Sequence, residues 1–236
     1  MSNLSNTSIS QIYIGYEERE HKAFLVCKES IRQASSSVDD GDIEIIKLRS
    51  QDIPGYKRDW GEPQSTDFTF TRFWVPHLSI WKGWSLFCDL DFLFLEDVNK
   101  LRRWMDPKYA VCVVKHPPYI PHSQKKMDNI DQHRSYRKNW ASFMLFNNEH
   151  LSNKILTPEY LNNHRPGLDF HHLRWLKDEE IGSIPLEWNC LDDYYHIALP
   201  KAIHYTDGGP WFEGYKNTMY SDIWLDFWKQ NFGKNE

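Results

Sequence analysis

No run of apolar residues in this sequence approaches the ~18–20 needed to cross a bilayer; the longest, such as Ala110 to Val114, hold only a few. The first ten residues carry neither the basic nor the apolar region of a secretory leader. They are Ser/Asn-rich and uncharged, and residues 1–10 are expected to form a flexible polar tail, the sequons at Asn3 and Asn6 being part of it. An excess of positive charge is missing too. With 28 Lys and Arg against 33 Asp and Glu, the net charge is -5, which argues against a nucleic-acid partner. Only 4 cysteines occur, far apart and in no CxxC or zinc spacing. Cys27, Cys88, Cys112 and Cys190 are expected to be free thiols in a reducing, cytoplasmic setting, most of them buried. A glycine-rich phosphate loop is absent after the first strand, where only Gly15 stands.

Aromatic side chains are plentiful: 11 Trp, 12 Tyr and 13 Phe among 236 residues. They fill cores, and they stack on bases and sugars. Hydrophobic residues make up 40% and charged residues 26%, an ordinary balance for a folded chain of this length. No repeat, low-complexity tract or clear linker divides the chain, so residues 1–236 are read as one domain.

Hydrophobic spacing gives the element order. Gln11–Tyr16 predicts a strand, and Glu17–Ser35 a helix with Phe24, Cys27, Ile31 and Ala34 on one face. Ile43–Leu48 predicts a second strand, completing a βαβ opening. Gln51–Pro63 reads as loop, and Thr66–Trp81 as helix interrupted near Pro76. Trp84–Cys88 has the continuous apolar pattern of a strand buried on both faces. A short helix at Asp97–Met105 and strands at Tyr109–Lys115 and Ala141–Asn147 follow, with Pro117–Arg137 as a mobile loop between the last two. Thr157–Glu180 mixes helix and loop; Ala202–Tyr205 is the last strand and Tyr220–Phe232 a terminal helix.

Asp89 and Asp91 follow the Trp84–Cys88 strand directly. Residues two apart in extended chain point the same way, so two carboxylates converge at a strand's C-terminal end. In open α/β sheets ligands bind there. Two such charges held close repel, and a divalent cation cancels the cost. His204, near the end of the last strand, supplies an imidazole that suits Mn²⁺ beside the carboxylates. Gly208 and Gly209 allow backbone N–H groups close to an anion.

These pieces sit in a recognisable order: Ile12–Tyr16, Thr71–Pro76, Phe87–Asp91, Asn139–Asn147, Pro185–Asn189 and His204–Trp211. The set resembles the nucleotide-sugar glycosyltransferases of the glycosyltransferase-A fold, and is similar to family 8 in small bacterial and phage-type form. The resemblance implies an α/β, Rossmann-like domain whose mixed, mainly parallel central sheet is flanked by helices. It implies transfer of glucose or galactose from a UDP-sugar to a carbohydrate or other hydroxyl acceptor, with retention, possession of Mn²⁺ or Mg²⁺, and the departing phosphate accepting the acceptor proton. Asp89, Asp91 and His204 would hold the metal. Ile14, Gly15, Tyr16, Arg72, Leu90, Asn139, Ser142, Gly208 and Gly209 would bind the donor. Asp169 and Arg72 would be catalytic, and Trp140 and Trp211 would stack on sugar. One departure is the short Thr206–Gly209 turn, which lacks the lysine that family 8 enzymes often use on the diphosphate; Lys115, Arg137 or Lys138 would take its place. The alternatives are a sugar nucleotidyltransferase, which would release pyrophosphate rather than UDP, and a non-catalytic carbohydrate-binding module.

Overall fold

The structure, a computed structural model, describes residues 8–58, 66–117, 137–164 and 166–233. Most of the expected tail and of the Pro117–Arg137 loop lie outside the described residues, as does part of the Gln51–Pro63 loop. The chain opens with β1 (Ile9–Gly15), which starts inside the segment read as tail because Ile9 is buried. A short 3-10 turn at Glu18–Glu20 leads into α1 (His21–Ala34), which buries Ala23, Phe24, Val26, Cys27 and Ile31 at helical spacing. Then come α2 (Ser36–Asp39) and β2 (Glu44–Leu48).

The segment read as one interrupted helix is a 3-10 turn, Thr71–Trp74, running into α3 (Val75–Leu78). Pro76 falls in the first turn of α3, where a missing N–H costs nothing. Next are β3 (Trp84–Cys88), β4 (Phe92–Phe94), β5 (Val111–Val114) and β6 (Phe143–Asn147). The chain continues with α4 (Pro158–Asn163), α5 (Leu168–His171), β7 (Ile181–Ile184), β8 (Cys190–Leu191) and β9 (Ala202–His204), and ends its described part with α6 (Ser221–Asn231). β4, β7 and β8 go beyond the strands read from hydrophobic pattern. The helix expected at Asp97–Met105 is 3-10, Val98–Trp104, capped by the Asp97 carboxylate on the Asn99 N–H at 2.9 Å.

Six strands form the main sheet in the order β2-β1-β3-β6-β5-β7. β1 runs parallel to β2 and β3, β6 runs antiparallel to β3 and β5, and β7 is parallel to β5. The sheet is therefore mixed with more parallel pairings than antiparallel ones, as the pattern of buried strands predicts. Every residue of β3, β5 and β6 is buried, which is what near-continuous apolar runs require when helices or loops cover both faces. Each large side chain so buried contributes about 1.5–3 kcal/mol. All four cysteines are free and buried.

This topology decides where chemistry can gather. β1, β3 and β5 all point one way and β6 the other. One edge of the sheet thus carries the C-terminal ends of β1, β3 and β5 and the N-terminal entry to β6. A second sheet, β4-β9-β8, adjoins that edge, because β4 follows β3 after the turn through Asp89 and Asp91. No helix among the described residues is long and apolar enough to cross a membrane.

Candidate functional site

Asp89 and Asp91 lie in the turn between β3 and β4, and His204 ends β9, paired across from Phe92 of β4. The Asp89 N–H donates to the Ser142 carbonyl at 3.0 Å, and the Tyr205 N–H to the Asp91 carbonyl at 3.0 Å. Those two bonds fasten the turn to the entry of β6 on one side and to the end of β9 on the other. One ligand atom from each of Asp89, Asp91 and His204 lies within 4.8 Å of the others. The three residues read from sequence as metal ligands therefore meet.

The His204 ring is held on every side. It stacks on Phe92, centroids 4.3 Å apart and planes within 14°. Its Nδ1 is 2.9 Å from Asn189 Oδ1. Asn189 donates through Nδ2 to Ser142 Oγ at 3.0 Å, and Ser142 donates in turn to the Asn139 carbonyl at 2.7 Å. This run of donors leaves Asn189 Oδ1 as an acceptor, so a hydrogen sits on Nδ1 and Nε2 is the nitrogen left for the ligand site. Nε2 faces Asp91 Oδ1 at 3.3 Å. Two acceptors meet there unless a proton or a cation stands between them. Asp91 Oδ1 is buried without a hydrogen-bond partner. Two carboxylates, one imidazole with its far nitrogen anchored, and an orphaned oxygen are a donor set that fits a divalent cation such as Mn²⁺.

Arg72 stands behind Asp89. Expected from the resemblance to contact the donor, it is buried, with Nη1 2.9 Å from Asp89 Oδ1 and 2.8 Å from the Ala141 carbonyl. Burial pulls its guanidinium below the ordinary value, and the Asp89 and Asp91 charges oppose that pull. A third acid, Glu20, was not singled out in the sequence. It is 2% exposed, and its carboxyl is pushed up to about 8, first by burial and then by the Asp91 charge. Nothing in its spacing marks it, since an acid at the start of an amphipathic helix reads as solvated.

The remaining sequence candidates divide. Ile14, Tyr16, Leu90, Asn139 and Ser142 lie on or beside the same sheet edge. The Tyr16 hydroxyl donates to Glu18 at 3.0 Å, and Lys47 lies 4.5 Å over its ring. Asn139 adopts the left-handed conformation, φ 62°, and reaches Thr206 through Nδ2 at 3.2 Å. Gly15 has a packing reason to be glycine: a Cβ there would come within 2.5 Å of the Phe68 ring. The Gly208 N–H donates to the Tyr205 carbonyl at 2.9 Å, so it closes the turn. Trp211 packs on Trp224 and Tyr205, centroids 5.4 and 5.9 Å away, against a small apolar cluster that also holds Ile203 and Tyr220. Trp140 lies under two cations, Arg137 at 5.0 Å and Lys115 at 5.7 Å.

Asp169, expected to be catalytic, has ion-pair partners of its own. It sits one residue inside α5, where His164 Nε2 at 3.2 Å and Arg174 Nη1 at 3.0 Å hold its carboxylate. No hydrogen bond or ion pair among the described residues joins it to Asp89, Asp91 or His204. His171 turns its ring edge-on to Phe73 and Phe70 at 5.2 and 5.7 Å; this burial, with Arg72 nearby, pulls it down to about 3. Of the basic groups expected to replace the missing lysine, Lys115 donates to the Ile181 carbonyl at 2.7 Å. Arg137 binds the His172 carbonyl and Asp178 at 2.7 and 2.5 Å.

The fold has solved counterparts. The bifunctional glycosyltransferase WbbM aligns over 100% of this chain and 53% of its own, with TM-score 0.65 and 13% identity. GlyE of Streptococcus pneumoniae TIGR4 aligns over 93% of this chain and 60% of its own, with TM-score 0.59 and 15% identity. The galactosyltransferase LgtC, solved with donor and acceptor sugar analogues, aligns over 92% and 94%, with TM-score 0.56 and 12% identity. The chain thus spans about half the length of WbbM and nearly all of LgtC. These likenesses establish the α/β glycosyltransferase-A fold. No protein-family model matches the sequence. Among curated proteins, Protein CDI of Arabidopsis thaliana is 42% identical over 225 residues, 92% of this chain and 85% of that protein. On that likeness, the chain belongs to the family of Protein CDI.

Proposed function

We propose that the chain is a retaining glycosyltransferase of the family 8 kind, one donor-binding domain that moves a hexose from a UDP-sugar to an acceptor hydroxyl. The observation that carries this reading is the Asp89, Asp91 and His204 cluster at the ligand-binding edge of a glycosyltransferase-A fold. Those three residues would hold Mn²⁺ or Mg²⁺. When bound, the cation would neutralise charge on the departing diphosphate.

The chain's own residues do the positioning. Asn189 fixes the His204 ring by holding Nδ1, leaving Nε2 aimed at the ligand site. Arg72 keeps the Asp89 carboxylate in place and adds positive charge behind it, with no water between to screen the pair. The end of β1, Ile14 to Tyr16, receives the base, and Asn139 and Ser142 border the sugar at the entry to β6. LgtC, solved with donor and acceptor sugar analogues, supports a donor and an acceptor sugar here by analogy of fold.

Calorimetric titration with UDP, in Mn²⁺ and then in chelator, tests the reading. Binding that needs the metal and disappears in Asp91→Asn and His204→Ala is the expected result. Binding indifferent to chelator, or none at all, overturns it. Release of UDP rather than pyrophosphate separates sugar transfer from nucleotidyl transfer.

A further inference from the structure

Close to this cluster lie three more buried polar atoms without a hydrogen-bond partner: His116 Nδ1, His116 Nε2 and Tyr195 Oη. His116 follows the C-terminal end of β5, on the same sheet edge as Asp89, and is 5% exposed. Its ring lies parallel to that of Tyr195, centroids 5.8 Å apart and planes within 1°. Tyr195 follows β8, its N–H donating to the Leu191 carbonyl at 3.1 Å, while Asp192 donates to the His204 carbonyl at 3.0 Å. The pair therefore bridges the main sheet and the small one at the end that carries His204. Burial, and secondarily the charge His204 can bear, pull His116 down to about 3, so its ring is neutral at pH 7.

A buried polar atom left unpaired costs about 1–3 kcal/mol, and native folds seldom leave several together. Their chemistry says what would satisfy them. A neutral imidazole offers one N–H and one bare nitrogen, and a phenol both donates and accepts. A phosphate or carboxylate needs donors or cations, and would be repelled by the bare nitrogen. Lys115, next in the chain, spends its ammonium on the Ile181 carbonyl. Neighbouring sugar hydroxyls, each donor and acceptor at once, match the set.

We infer that His116 and Tyr195 form a subsite for the hydroxyl groups of a neutral sugar. With the transferase reading, on which this assignment rests, that sugar is the hexose of the donor. The test compares UDP with UDP-glucose and UDP-galactose, in Mn²⁺, in wild type, His116→Phe and Tyr195→Phe. Both variants should bind UDP within about 2-fold of wild type. Both should lose at least about 10-fold of the extra affinity that one of the UDP-sugars has over UDP, equivalent to about 1.4 kcal/mol. Retention of that extra affinity in both variants overturns the subsite, and so does an equal loss for UDP itself. Thermal denaturation adds a readout that a structural role would move: replacing unpaired polar atoms by apolar ones should leave Tm unchanged or higher, and a drop in both variants speaks against the inference. If UDP does not bind at all, the UDP reading falls and the subsite is decided alone, by the His116 ring resonances in NMR titrations with methyl glucoside and methyl galactoside. Shifts that vanish in Tyr195→Phe support it, and no shift with either sugar overturns it.

Discussion

Glu20 gives a prediction whose size follows from its surroundings. Its carboxyl titrates near 4.5 in an unfolded chain and at about 8 in the fold, raised by burial and then by Asp91. The folded state holds the proton more tightly, so this group favours folding fully below pH 4.5 and loses that contribution as pH rises towards 8. Each pH unit in that window removes about 1.4 kcal/mol. Over two and a half units the loss is about 3 kcal/mol, a large part of the stability of a typical domain. Glu20→Gln keeps the shape and removes the proton. Urea denaturation of both proteins at steps from pH 5 to 7.5, in chelator so that no cation masks Asp91, reads the difference. Wild type should lose about 3 kcal/mol more than the variant across that range. Asp192, raised to about 6 by burial, titrates in both proteins and cancels in the comparison. Two parallel curves would refute the reasoning, because they would mean that Glu20 ionises in the fold as readily as in water.

Asn189→Leu removes the group that holds His204 Nδ1 and should weaken Mn²⁺ binding about 10–100-fold, measured by electron paramagnetic resonance of the free ion. Unchanged Mn²⁺ affinity would mean that the ring needs no such anchor. Gly209→Ala puts a methyl into the Trp211 ring, which Trp224 and Tyr205 prevent from moving away. It should cost about 1–3 kcal/mol in urea denaturation.

The site was more legible than its support. Asp89 and Asp91 could be found because an apolar run marks β3 and the alternation of extended chain puts both acids on one side. His204 could be found because β9, though short, is wholly apolar up to it. Arg72 could not be seen as buried, since its partners, Asp89 and the Ala141 carbonyl, come from the ends of two strands far along the chain. Glu20, His116 and Tyr195 owe their states to burial by residues distant in sequence, which no spacing rule records. β4 and β8, of 3 and 2 residues, are too short for a period to show. β7 carries Gly182, whose missing Cβ makes room for the Cys112 sulfur and the Tyr109 ring, and glycine in a strand hides the pattern.

The order of the charged residues along the chain bears on how the protein is made. Arg72 leaves the ribosome before Asp89 and Asp91, while His204 follows more than a hundred residues later. A domain folds as a unit, and the turn that carries both carboxylates is fastened by Ser142 and Tyr205, so it is built only once those later segments have been made. In the finished fold Arg72, buried beside Asp89, supplies a counter-charge to the pair, and its second contact, the Ala141 carbonyl, comes with the entry to β6. The ligand set is completed only when β9 joins β4.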